Sequence, residues 1–417
     1  MLDLFVSCAP GVERLLEQEL RTLGHAPHAR ERGGVELSGT PNDVAAINLR
    51  SRLAGRVLVR LGDFHARALG ELERRARALP WERYIAPGAR VELEVTCRKS
   101  RLYHTGAVAE RVSNAIASCV GATSEMLRPV RAARDESDGV SGGGDGASRA
   151  SDDVSSERDA ARVPDGSSEN PVSDDAQRIV VRVLHDRCSV SADSSGAHLH
   201  RRGYRLQVAR APLRETLAAA ALVASGWPGT APLVDPLCGA GTIAIEGALI
   251  ARRIPPGAHR RFAFMRWPDF DRAAWEEMHG AAMHDVLPHA PAPILASDRD
   301  AGAVAATRAN AERAGVLGDI DVRQQALSAC EPPASAHGSG WIVTNPPYGV
   351  RVGDARRLRD LYAQLGHVAR RSFGGWTVAL LSADHTLDTH TRLPLTSVLA
   401  TRNGGIAVRV MAGRVPE

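Results

Sequence analysis

The chain is expected to be an α/β protein. An open, Rossmann-like sheet over residues 205–417, with seven strands ending in an antiparallel hairpin, follows an α+β region over residues 1–200. Three observations carry that expectation. From about residue 212 onward, helical and strand patterns alternate, as they do where strands are joined through crossover helices. Between one strand and the next helix stands Asp235-Pro236-Leu237-Cys238-Gly239-Ala240-Gly241-Thr242, whose glycines let the backbone turn tightly and approach a ligand. Near the end, Asn403-Gly404-Gly405 separates two strand-like runs with the residues that a hairpin turn demands.

The N-terminal region reads as short segments. Leu4, Phe5 and Val6 form a strand, and 11–23 a helix on which Val12, Leu15, Leu16 and Leu20 share one face. A strand at 34–37 precedes Asn42-Asp43, a helix start for 44–49. Strands at 56–63 and 90–96 flank an arginine-rich amphipathic helix at about 69–79, and another strand covers 178–184. These pieces suit a small sandwich of sheet and helices better than a Rossmann unit. Further on, an alanine-rich helix (213–224) leads to strand 232–235, helix 242–251, strand 293–297, helix 301–314 and strand 320–324. Strand 341–344, helix 357–371 and strand 376–381 extend the series to the hairpin of 397–401 and 406–411. Alternation closed by an antiparallel hairpin is the layout of a Rossmann-like methyltransferase.

With 417 residues, 44% of them apolar, the chain can bury real cores and suggests two or three domains. It has no apolar run of about 18 residues and no signal-peptide pattern, so a soluble, cytoplasmic protein without membrane insertion is expected. Cys8, Cys97, Cys119, Cys188, Cys238 and Cys330 are scattered, with no Cys-x-x-Cys pair, which argues against a zinc site and a disulfide framework; no metal is expected. Between Asp135 and Gln177, twelve acids face three arginines, a net of −9 in a chain of +4, so the remainder carries +13. Rich in Asp, Ser and Gly and poor in aliphatics, 135–177 is expected to be a disordered acidic insertion. The positive charge of the remainder is nearly all arginine, with Lys99 the exception, and arginine suits phosphates and bases. An RNA or DNA partner fits.

The strongest chemical signal is Asn345-Pro346-Pro347-Tyr348, which follows the apolar run Ile342-Val343-Thr344. Two consecutive prolines end the strand in a rigid loop. An exocyclic amine on a nucleobase is planar and weakly nucleophilic. The Asn345 side-chain oxygen and the Pro346 carbonyl can each accept one of its hydrogens while Tyr348 stacks on the base. The loop therefore suits amine methylation. For the cofactor, Gly239 and Gly241 shape the loop and Thr242 opens a helix, while Cys238 is read as packing. The acid Asp235 ends the first strand, where it repels a pyrophosphate but can receive the ammonium of S-adenosylmethionine. Asp298, at the end of the next strand, can hold both ribose hydroxyls. Asp300 reads as a helix cap, and Glu246 faces either cofactor or solvent.

Several longer strings resemble the THUMP-containing RNA guanine methyltransferases, specifically the bacterial large-subunit rRNA enzymes. They are residues 4–13, 96–105, 193–196, 199–205 and 211–215, then Arg266-Trp267-Pro268 with Phe270 and Trp275, and 345–349. The resemblance covers everything except the acidic insertion. It implies a ferredoxin-like region (1–55), a THUMP RNA-binding domain (56–200) and a Rossmann-like class I methyltransferase domain (205–417). It also implies a guanine N2 amine of 23S rRNA as substrate, and RNA contacts from Arg98, Lys99, Ser100, Arg101 and His104. Arg201 and Arg202 either bind phosphates or line the domain junction. One departure is Gln324-Gln325-Ala326, which stands where the family places an Asp that reads the adenine amine. A tRNA guanine methyltransferase, a DNA adenine methyltransferase and a non-catalytic RNA-binding assembly factor are the alternatives.

Overall fold

The computed structural model describes residues 1–121, 127–131, 176–206, 213–336, 338–348 and 355–417. Most of the acidic insertion, residues 135–175, lies outside them, as does Gly349; Ala176 and Gln177, read as its end, are instead the start of a strand.

The N-terminal half runs β1 (Leu2–Ser7), α1 (Glu13–Thr22), β2 (Pro27–Glu31), β3 (Gly34–Gly39), α2 (Pro41–Arg50) and β4 (Arg56–His65). It continues with α3 (Leu69–Arg77), β5 (Arg90–Arg98), α4 (Thr105–Val120), β6 (Leu127–Arg131), β7 (Ala176–Leu184) and β8 (Arg187–Asp193). All eight strands join one sheet in the order β2-β3-β1-β4-β8-β7-β5-β6. The 55/56 boundary drawn from the sequence falls where β4 begins, and β4 pairs antiparallel with β1 on one side and β8 on the other. Leu4, Val6, Val57, Val59, Leu93, Val181 and Val190 turn to a core they share with α1 to α4. Among the described residues, the opposite face buries a small apolar patch of Phe5, Leu58 and Val180. Helix α2 begins earlier than expected: Thr40, not Asn42, is its cap, forming a reciprocal capping box with Asp43 ahead of Pro41 at the first turn.

The C-terminal half runs α5 (Glu215–Ala224), β9 (Leu233–Asp235), α6 (Thr242–Ala251), α7 (Arg272–His284), β10 (Ile294–Asp298), α8 (Ala301–Arg313) and β11 (Ile320–Gln324). Then come β12 (Trp341–Thr344), α9 (Ala355–Ser372), β13 (Thr377–Ser382), α10 (His385–His390), β14 (Thr396–Asn403) and β15 (Ile406–Arg414). The seven strands are ordered β11-β10-β9-β12-β13-β15-β14. The first five are parallel, and β15 and β14 close the edge antiparallel. Successive strand residues take opposite faces: Leu233 and Val343 pack with α5, α6 and α8, whereas Val234 and Ile342 pack with α9. The order reverses between β9 and β12, the switch point where open α/β sheets bind ligands.

Polar groups brace the N-terminal half internally and tie it to the C-terminal half. Asn48 on α2 exchanges hydrogen bonds with Ser194 and Ser195, whose hydroxyls also bind the Val57 backbone. The Arg52 guanidinium donates to the carbonyls of Leu249 and Ile254 at 3.1 and 2.7 Å. Phe264, Trp267, Phe270 and Trp275 meet edge to face, and Trp267 Nε1 donates to Gln177 Oε1 at 2.8 Å. Among the described residues, no helix is long and apolar enough to cross a membrane, and no group of three or more His, Cys, Asp or Glu gathers as a metal site.

Candidate active site

The sheet order brings the glycine loop after β9 and the Asn345 loop after β12 side by side. Thr344, fully buried at the end of β12, donates its hydroxyl to Asp235 Oδ1 at 2.8 Å. The last residues of the two strands are thereby bonded to each other, one residue before Asn345. The Asn345 side-chain oxygen is buried and has no hydrogen-bond partner among the described residues. An unmade bond at a buried acceptor costs about 1–3 kcal/mol, and a donor from outside the chain can supply it. Pro346 is buried and Pro347 exposed. Half-buried Tyr348 packs on the core, and its hydroxyl accepts from Asn403 Nδ2 at 2.9 Å.

Asp235 is 1% exposed. Burial raises its carboxyl to about 7, against the opposing hydrogen bonds from Thr344 and the Leu237 N–H, and the charge of Asp298 adds to the rise. Such a carboxyl gains from a cationic partner. Asp298 is aimed at the loop after β9: one oxygen accepts the Gly239 N–H at 3.1 Å and the other the Asp300 N–H at 3.0 Å. Each oxygen keeps a further lone pair for a hydroxyl. Asp300 caps α8 through the Ala303 N–H at 2.8 Å, as the sequence suggested.

The glycine loop is braced from behind by two residues of α8 that sequence reasoning missed. Thr307 donates to the Gly239 carbonyl at 2.9 Å, and Asn310 to that of Ala240 at 3.0 Å. Gly241 has φ +82, and a Cβ there would stand 2.7 Å from Thr307 Cγ2. The missed signal is a pair of polar residues three apart on the buried face of α8. Cys238 is buried beside Thr307 with its thiol pushed well up by burial, so it packs rather than reacts. Its N–H anchors the loop to Ser297. Thr242 begins α6, nearly all of which is buried. At the position expected to read adenine, Ala326 opens a short 3-10 turn. The neighbouring Gln325 donates from its backbone to Asp298 O and from its side chain to Ser297 Oγ, at 3.0 and 3.2 Å.

Burial corrects one expectation and decides between the alternatives of another. Glu246 faces neither cofactor nor solvent: it is fully buried, with Tyr204 Oη 3.1 Å and Arg202 Nε 3.4 Å from Oε1. Arg202 does not reach RNA, because its guanidinium also donates to the carbonyls of Leu199 and Arg52, both at 2.7 Å, and braces the junction. Arg201 is exposed and engaged in a contact of its own.

The remaining cationic candidates gather where β5 ends. Ser100 Oγ donates to Arg98 O at 2.7 Å and accepts the Asp186 N–H at 3.0 Å, while Asp186 Oδ1 accepts the Arg101 N–H at 2.7 Å. This cross-linked turn holds Lys99 at φ +45 and exposed. Neither Lys99 nor Arg101 has an ion-pair partner among the described residues. His104 caps α4, its Nδ1 accepting the Ala107 N–H at 3.1 Å, which gives it a structural task. Tyr103, 79% exposed, adds an aromatic face that sequence reasoning passed over.

A family model described as RMKL-like, methyltransferase domain, matches residues 202–410, and one described as RlmL ferredoxin-like domain matches 3–58. A Synechocystis protein provisionally named an RNA methyltransferase is 32% identical over 96% of this chain and 94% of its own length. The ribosomal RNA large subunit methyltransferase K/L of Methylococcus capsulatus is 34% identical over 92% of this chain and 47% of its own length, so the chain spans about half of that relative. Among solved structures, SMU.472, a provisionally assigned methyltransferase in complex with SAH, superposes with TM-score 0.80 at 26% identity, covering 100% of this chain and 98% of that one.

Proposed function

From the premise that the chain belongs to the RMKL-like methyltransferase family, we propose that it transfers a methyl group from S-adenosylmethionine to the exocyclic N2 amine of a guanine in 23S rRNA. The observation that carries this reading is the buried, unpartnered Asn345 oxygen at the end of β12, bonded through its neighbour Thr344 to Asp235.

The donor set fits that cofactor. Asp235 is a buried carboxyl that gains from an ammonium, Asp298 offers spare lone pairs to ribose hydroxyls, and Gly239 and Gly241 carry no side chain to block close approach. S-adenosylmethionine supplies an electrophilic methyl on a sulfonium. The Asn345 oxygen and the Pro346 carbonyl accept the two hydrogens of the guanine amine, localising its lone pair toward the methyl, and the Tyr348 ring lies against the base. The amine becomes cationic as it is methylated and loses its proton readily, so orientation and polarisation carry the rate. The N-terminal sheet supplies the RNA grip: region 56–200 acts as a THUMP domain, with Lys99 and Arg101 on phosphates and Tyr103 beside an unpaired base.

Mass-spectrometric mapping of methylated guanine in rRNA and tRNA from a strain lacking this gene tests the reading. Loss of one N2-methylguanine from 23S rRNA is expected. An unchanged 23S rRNA beside an altered tRNA would move the substrate, and unchanged methylation in both would overturn the proposal.

A further inference from the structure

We propose that Asn403 is the positioning residue for Tyr348, fixing the ring before the base arrives; this rests on the reading that Tyr348 lies against the target base. In the sequence, Asn403-Gly404-Gly405 is accounted for by turn chemistry alone. The structure divides those roles. Gly404 and Gly405 occupy the two left-handed positions, φ +54 and +84, and Asn403 is the last rung of β14, paired with Ile406. The turn therefore asks nothing of the Asn403 side chain. That side chain is 8% exposed, and its Nδ2 donates to the Tyr348 hydroxyl at 2.9 Å.

Tyr348 is thereby held at both ends. Its backbone follows two prolines that stiffen the loop, and its phenol oxygen is tied to a hairpin 55 residues away in the chain. A ring free to swing about χ1 and χ2 would have to be ordered whenever a base entered. A ring held at both ends presents one face throughout, which is how a positioning contact raises the rate of a step it does not touch. Because the hydroxyl is turned to Asn403, the ring face, not the phenol oxygen, is what Tyr348 offers the base.

The test is a double-mutant cycle read by single-turnover transfer of labelled methyl from S-adenosylmethionine to rRNA from a strain lacking the gene. Asn403→Leu and Tyr348→Phe are each expected to slow transfer about tenfold, and the double variant no further, with S-adenosylmethionine affinity unchanged. Asn403→Asp, whose carboxylate accepts the phenol proton, is expected to recover most of the rate. If Asn403→Leu does not fold, Asn403→Ser, too short to reach the phenol, takes its place in the cycle. The proposal is overturned if the Asn403 substitution slows transfer equally in the Tyr348→Phe background, or leaves the rate unchanged while Tyr348→Ala is slow. Tyr348→Ala at the full rate would remove the ring from base binding and take the stacking role down with it.

Discussion

Where β12 ends, an amide oxygen is buried without a partner among the described residues, next to a threonine that is bonded across the switch point to a buried carboxyl. Where β5 ends, Lys99, Arg101 and Tyr103 stand in solvent on a turn cross-linked through Ser100 and Asp186. Both regions are rigid, yet they are rigid for different ends. In the proposed reading, the first works through single aimed atoms, so removing one removes the chemistry. In the second, screened charges act nearly independently, and each contributes a small share of attraction. A buried catalytic loop should therefore respond to mutation as a switch, and the exposed grip as a sum.

The sharpest way to break the contrast is Asn345→Ala. Methyl transfer should fall by about 10²–10³ or more, with S-adenosylmethionine affinity retained by calorimetry; a rate within tenfold of the parent would remove the amide from the mechanism. Next is Asp298→Ala, which should weaken cofactor binding by about 1–3 kcal/mol while leaving RNA affinity in place; unchanged cofactor affinity would refute its role.

A third test uses pH. The Asp235 carboxyl sits at about 7 in the cofactor-free fold, above its ordinary value of about 3.9. Between those values the folded state holds a proton that the unfolded state has lost, so the stability of the cofactor-free protein should fall as pH rises from about 4 to 7 and then level. Binding an ammonium requires the charged form. Cofactor affinity should accordingly tighten with pH, by up to about tenfold per unit, until about 7, and Asp235→Asn should flatten that profile. The smallest effects belong to the grip. Lys99→Ala and Arg101→Ala should each weaken RNA binding several-fold and each lower the salt dependence by about one phosphate contact. A loss of binding as complete as the loss of catalysis in Asn345→Ala would erase the distinction between the regions.

Legibility in the sequence follows the same division. The C-terminal sheet could be read almost element by element because its chemistry sits at strand ends marked by Gly, Pro and Asp, and each signal is local. Asp300 as a cap and Cys238 as packing are of this kind. Residues defined by what packs against them were not legible. Arg202 and Arg201 are neighbours in one string, yet one is buried against Glu246 and the other exposed. Thr307 and Asn310 support the glycine loop from a helix some 70 residues away in the chain. Helices α4, α7 and α10 went unread, and β2, β6 and β8 are strands recognisable only once their partners are in place. The single eight-stranded sheet was likewise hidden, since nothing in β4 announces that it pairs on both sides.

Lys99 has a further use. It is the only lysine among 417 residues, and it is exposed on a turn whose backbone is fixed by three hydrogen bonds. A reagent that acylates side-chain amines therefore finds a single ε-amine on this protein. Its rate of modification can report, in the unaltered enzyme and without a dye or a tag, whether RNA covers the end of β5.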